Sequence, residues 1–110
     1  MENFKFQKSL NDQGLINGLD IEGMLVLENS QQIKTELVGI LSNLSDQVKI
    51  TIRKPENLDL SCIQLFVAFI KRIEELNIVF QIIWDLDEDQ ELLLENAGLG
   101  YELFKTNLYA

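Results

Sequence analysis

The chain has 110 residues, 46% of them hydrophobic and 25% charged, with 18 acids against 9 bases and a formal charge of −9. That length makes one domain spanning residues 1–110, able to bury roughly two-thirds of its unfolded surface around one core. The acidity makes nucleic acid and anionic membrane poor partners, because phosphate contacts need clustered Lys and Arg, and the pair Lys71-Arg72 is followed by Glu74-Glu75.

Residues 1–21 carry the weakest pattern. Phe4 and Phe6 alternate with polar residues as in an edge strand or hairpin, and Asn11-Asp12-Gln13-Gly14 and Asn17-Gly18 read as turns, the second of hairpin type. Met24-Leu25-Val26-Leu27 is a short apolar run and reads as a buried strand. Asn29-Ser30 offers a helix N-cap, after which Ile33, Leu37, Ile40, Leu41 and Leu44 recur at helical spacing. Gly39 within that helix suggests a close contact, since glycine costs about 1 kcal/mol there relative to alanine.

Val48, Ile50 and Ile52 alternate with Lys49, Thr51 and Arg53, the pattern of a strand with one covered and one wet face. Lys54-Pro55-Glu56-Asn57 is a turn, and a helix is expected from Ser61 to about Leu76. Ile63, Phe66, Val67, Ile70 and Ile73 form its core stripe; Leu65, Phe69 and Leu76 form a second stripe that widens the apolar face. Ile78 to Trp84 is the most β-prone run and reads as a central strand. Asp87 to Asn96 reads as a short helix with acids in its first turn and Gly98 as C-cap, and Tyr101 to Ala110 as a final helix or docked tail. Alternating strands and helices make an α/β domain with a mostly parallel sheet of about four strands and three to four helices mainly on one face.

The stretch Leu58-Asp59-Leu60-Ser61-Cys62-Ile63-Gln64 allows two readings. Ser61 with Gln64 three residues on is the pattern of a capping box. A serine held at the positive end of a helix dipole is equally a place where a phosphate is stabilised, so Ser61 is also a candidate switch. Asp59, two residues ahead, either shapes the turn through its own backbone or places the hydroxyl.

The order and spacing of these residues resemble the signature of the STAS domain, the fold of anti-sigma-factor antagonists and of the cytoplasmic tails of sulfate transporters. In the antagonists the motif is Asp-Ser-Ser-Gly or Asp-Leu/Thr-Ser-Gly-Ile at a strand-to-helix junction. Asp59 matches its aspartate, Ser61 the serine that a partner kinase phosphorylates, and Ile63-Gln64-Leu65 the start of the family helix. The resemblance runs from about Glu22 to Leu99 and includes Leu92-Leu93-Leu94-Glu95-Asn96-Ala97-Gly98-Leu99. Leu60 departs from it where many antagonists have a first hydroxyl residue, and Cys62 where they have glycine. The resemblance implies a bacterial phosphoprotein in which Asp59, Cys62 and Gln64 stand around the phosphoacceptor Ser61, while the widened apolar face of the helix near Ser61 makes Leu60, Leu65, Phe66 and Phe69 the expected partner-binding surface.

Enzymatic chemistry finds little material. With no histidine there is no imidazole base, no serine-histidine triad and no histidine metal site. A lone Cys62 cannot build a zinc site or an internal disulfide, which fits a reducing compartment. The six glycines form no phosphate-binding loop. Asp85-Leu86-Asp87-Glu88-Asp89 resembles a calcium loop, but Gln90 stands at the loop's glycine position and Asn96 at its glutamate. No apolar run approaches the ~20 residues of a membrane-spanning helix, and Met1 to Phe6 lack the apolar stretch of a secretory signal. The expectation is a cytoplasmic, non-enzymatic signalling module without catalytic residues, metal or cofactor. It would bind a serine kinase or anti-sigma factor and be switched at Ser61. The alternative is a non-switching STAS scaffold subunit of a transporter or chemotaxis-like complex.

Overall fold

The computed structural model describes residues 3–96. In chain order these form β1 (Phe4–Leu10), β2 (Ile16–Leu25), α1 (Leu27–Ile40), a 3-10 turn (Leu41–Asn43), β3 (Leu44–Arg53), β4 (Asn57–Leu58), α2 (Leu60–Glu75), β5 (Val79–Asp85) and α3 (Glu88–Asn96). The α/β expectation holds. One sheet runs β1-β2-β3-β5, with β4 pairing separately with the end of β2. Only the β1–β2 pair is antiparallel; β2–β3, β2–β4 and β3–β5 are parallel. The expected Gly98 cap and the segment Tyr101 to Ala110 lie outside the described residues.

The period-2 patterns place the core. Leu19 and Ile21 of β2, Val48, Ile50 and Ile52 of β3, and Phe80, Ile82 and Trp84 of β5 are buried on one face. Asn17, Lys49, Arg53 and Gln81 on the opposite face are exposed, as a sheet covered on one side requires. On the open face Arg53 donates from Nε and Nη2 to the carboxylate of Asp20 on the neighbouring strand, at 2.7–3.1 Å. From the helical layer Ile33 and Leu37 of α1, Ile63 and Ile73 of α2 and Leu94 of α3 complete the core. Phe66 meets Trp84 edge-on at 5.9 Å, fixing α2 against β5.

Several expected boundaries move, each for a physical reason. The hairpin turns at Asn11–Leu15, not at Asn17-Gly18. The Asn11 side chain accepts from the N–H groups of Gln13 and Leu15, and Gly14 supplies the positive φ. Asn17 and Gly18 are held extended inside β2 between β1 and β3. The strand expected over Met24 to Leu27 ends at Leu25, and Leu27 opens α1 as a residue 64% exposed.

Helix α1 therefore starts before Asn29-Ser30. Asn29 turns inward and donates from Nδ2 to the carbonyl of Met24 at 2.8 Å. Gly39 makes no close contact, since a Cβ there would meet nothing within 4 Å. The helix stops at Ile40, before the Leu44 that opens β3. The expected central strand, β5, is instead last in the strand order of the described sheet. Gly23 has φ +98°, and a Cβ on it would lie 2.5 Å from the Asn3 carbonyl oxygen. It sits where β2 passes from pairing with β3 to pairing with β4, its own carbonyl accepting from the Glu56 N–H.

Candidate functional site

The parallel strands β2 and β4 end side by side, so the N-termini of α1 and α2 lie together at one end of the sheet. Asp59 joins them. Its backbone is extended (φ −119°, ψ 172°) and forms the N-cap position of α2, its carbonyl accepting from the Ile63 N–H. One oxygen of its side chain, Oδ2, accepts from the N–H of Leu27, the first residue of α1, at 2.8 Å. The other, Oδ1, accepts from the hydroxyl of Ser61 at 2.5 Å. One carboxylate thus satisfies a free N–H at the start of one helix and a hydroxyl in the first turn of the next.

Ser61 is half-buried in that first turn and is not the cap. The expected capping box with Gln64 is absent because the helix begins at Leu60, which leaves the Ser61 hydroxyl donating to Asp59 instead of accepting; Gln64 is exposed. A reciprocal box forms elsewhere. Asp87 Oδ1 accepts from the Gln90 N–H at 2.8 Å, and Gln90 Oε1 accepts from the Asp87 N–H at 3.1 Å. The buried Gln90 amide also donates to the Pro55 carbonyl at 2.9 Å, tying α3 to the turn after β3.

Cys62 is buried and its Sγ lies 3.5 Å from the Val26 carbonyl oxygen. Burial, then the Asp59 charge, push its thiol up to about 11 from an ordinary 9.0. A thiol so protonated is a poor nucleophile, and Cys62 acts as packing between the two helix starts.

The residues expected to form a binding surface separate into two groups. Leu60 is 41% exposed and Leu65 is half-buried. Phe66 and Phe69 are buried, which corrects the expectation that they face a partner: Phe66 packs on Trp84, and Phe69 lines the seam with α1. Of the second apolar stripe of α2, only Phe69 is buried at the seam with α1; Leu65 is half-buried and Leu76 exposed. Sequence reasoning missed the exposed apolar residues of α1, Leu27 and Val38, which with Lys34 and Leu41 recur at helical spacing just off the buried stripe.

A larger groove, about 440 Å³, lies at the opposite end of the sheet and is lined by polar residues including Asn11, Ser45 and Asp46. Ser45 there accepts from Asn11 and donates to Asp46, so its hydroxyl is already engaged. Among the described residues no three His, Cys, Asp or Glu side chains gather where they could hold a metal ion. No described helix is long and apolar enough to cross a membrane.

No protein-family model matches the chain, and no curated protein matches it.

Proposed function

We propose that the chain is a STAS-type signalling module of bacterial kind, non-enzymatic and cytoplasmic, which binds a protein partner and is switched by phosphorylation at Ser61. The partner class is a serine kinase or anti-sigma factor. The observation that carries the reading is the hydrogen bond from Ser61 to Asp59, placed where two helix N-termini meet at one end of the sheet. The aspartate positions the hydroxyl and is an acceptor for its proton during transfer. A phosphate on Ser61 removes the donor hydrogen and adds about −1.5 to −2 charge next to an existing carboxylate. Repulsion then works against the arrangement that the unmodified serine completes, and any acidic partner group docked nearby is repelled as well.

The second reading, a non-switching STAS scaffold subunit, draws support from the same bond, since it already gives Ser61 a structural task. The buried Cys62 in place of the family's glycine adds to that packing role.

The test is mass spectrometry of the protein isolated from its native cells, combined with partner binding by Ser61→Ala and Ser61→Asp. The switch predicts phosphate on Ser61, normal binding by the alanine form and much weaker binding by the aspartate form. An unmodified Ser61, with equal binding by both folded variants, overturns the switch in favour of the scaffold.

A further inference from the structure

The seam between α1 and α2 opens outward as a groove of about 210 Å³. Leu37, Leu41, Leu65 and Phe69 line it, with Lys34 contributed by α1 and Arg72 by α2. Val38 at its lip is 58% exposed. The apolar strip reaches beyond the groove in both directions. Leu27 lies seven residues before Lys34 and eleven before Val38, hence on the same side of α1. On α2, Ser61, Leu65, Ala68 and Arg72 share a side by the same spacing, and Leu76, 40% exposed, follows one turn later. Ser61 and Leu27 are brought together at the head of the strip by their common bonds to Asp59.

Charge identifies what fits here. The chain as a whole carries −9 and repels acidic partners. Among the described residues the helices hold three bases, Lys34, Lys71 and Arg72, and two of these three flank the groove. Lys34 has no ion pair among the described residues, and Arg72 has one exposed contact of 3.9 Å with Glu75, too loose to occupy it. Of the two acids of α1, Glu36 falls on the opposite side of that helix by spacing and Glu28 about a quarter turn off the strip. A groove between two packed helices accepts the ridge of a third. Leu27 to Leu41 spans about 21 Å at 1.5 Å per residue, room for a helix of about fourteen residues.

We infer that the α1–α2 groove docks an amphipathic helix of a partner protein, its apolar ridge between Leu65 and Val38 and its flanking carboxylates on Lys34 and Arg72. Docking stands on the groove alone. A further consequence rests on the Ser61 reading: a phosphate at the head of the strip repels the same acidic helix that the two cations attract, so Ser61 controls occupancy of the groove.

The experiment uses two synthetic helical peptides of about eighteen residues in an alanine-rich background. Both carry leucines at i, i+4, i+7 and i+11; glutamates flank the leucines in one and lysines in the other. Fluorescence anisotropy at low salt should show saturable binding of the Glu peptide, at least about tenfold tighter than the Lys peptide. Lys34→Glu/Arg72→Glu should invert that preference. Val38→Glu, at a surface position that does not threaten the fold, should abolish binding by the Glu peptide. Equal binding of the two peptides, no saturation, or indifference to Val38→Glu overturns the inference. So does a dimer of the parent chain in sedimentation that Val38→Glu dissociates, because the occupant is then a second copy. Ser61→Asp separates the two layers. It should weaken the Glu peptide about tenfold, and unchanged affinity removes control by Ser61 while the groove stands. Loss of peptide binding in all forms, together with phosphate found on Ser61 in cells, overturns the groove and spares the switch.

Discussion

Asp59 caps a helix that begins thirty-two residues earlier in the chain, its Oδ2 accepting from the backbone N–H of Leu27 at 2.8 Å. The same carboxylate holds the Ser61 hydroxyl, so local order at the start of α1 depends on the conformation of the strand-to-helix junction before α2. A cap supplied from so far away also explains why the N-cap position of α1 is held by Val26 and not by one of the usual capping residues.

Asp59→Ala removes both bonds and should lower the unfolding free energy by about 1–3 kcal/mol. Asp59→Asn keeps one acceptor oxygen and should cost less. Urea unfolding of the three proteins checks this; equal midpoints and slopes for parent and alanine variant would mean that the bridge contributes nothing.

Gly23 carries a backbone requirement that no other residue type meets. With φ +98° and the Asn3 carbonyl oxygen 2.5 Å from the position of a Cβ, Gly23→Ala combines a disfavoured backbone with a clash against main chain. The strain alone costs on the order of 1–3 kcal/mol, and β1 must shift to relieve the overlap. A control at Gly39, where a Cβ meets nothing within 4 Å, should go the other way, gaining up to about 1 kcal/mol from helix propensity. Thermal melts of the pair that show no difference would contradict the geometry at both sites.

Cys62 makes stability depend on pH at the alkaline end. Its folded thiol titrates at about 11 against an ordinary 9.0, so the folded state binds the proton more tightly. The resulting contribution is complete below about pH 9 and is lost as pH rises toward 11. A Cys62→Ala protein, although weakened by its cavity, should show a flatter loss over that window. Aromatic disulfide reagents near pH 8 should label the folded parent far more slowly than the urea-unfolded chain.

Much of this fold was legible because its signals are local and periodic. Val48, Ile50 and Ile52 alternate with wet residues because one face of the sheet is covered, and Ile33, Leu37 and Ile40 repeat at helical spacing for the same reason. What escaped was non-local. The start of α1 is set by Asp59, which no window around Asn29 contains. The second stripe on α2 announced an apolar contact, yet Phe69 is buried at the seam with α1, and amphipathicity does not say which element supplies the cover. β5 reads as central because its core face is strongly apolar, while its place in the strand order depends on topology. At the candidate site the grouping of Asp59 with Ser61 was legible, but the direction of their hydrogen bond was not. It reverses because the helix begins at Leu60, and helix boundaries are uncertain by a residue or two from sequence.

Gln90 offers a test of the capping box that the structure places at α3. Its side chain accepts from the Asp87 N–H and donates to the Pro55 carbonyl while buried. Gln90→Glu keeps the acceptor but replaces the donor with a carboxylate oxygen facing a carbonyl oxygen. An ionised glutamate there is both desolvated and opposed by the carbonyl dipole, so its folded pKa should rise above the ordinary ~4.3 of an unfolded glutamate. The variant should be about 1–3 kcal/mol less stable than the parent at pH 7. A group with a raised folded pKa favours folding when protonated, so the deficit should shrink as pH falls through the folded pKa toward the unfolded one. Gln90→Ala loses both bonds without adding a charge, and its deficit should not vary with pH over that range. Parallel curves for the glutamate and alanine variants between pH 7 and 4 would show that Gln90 does not meet Pro55, and the tie between α3 and the turn after β3 would have to be abandoned.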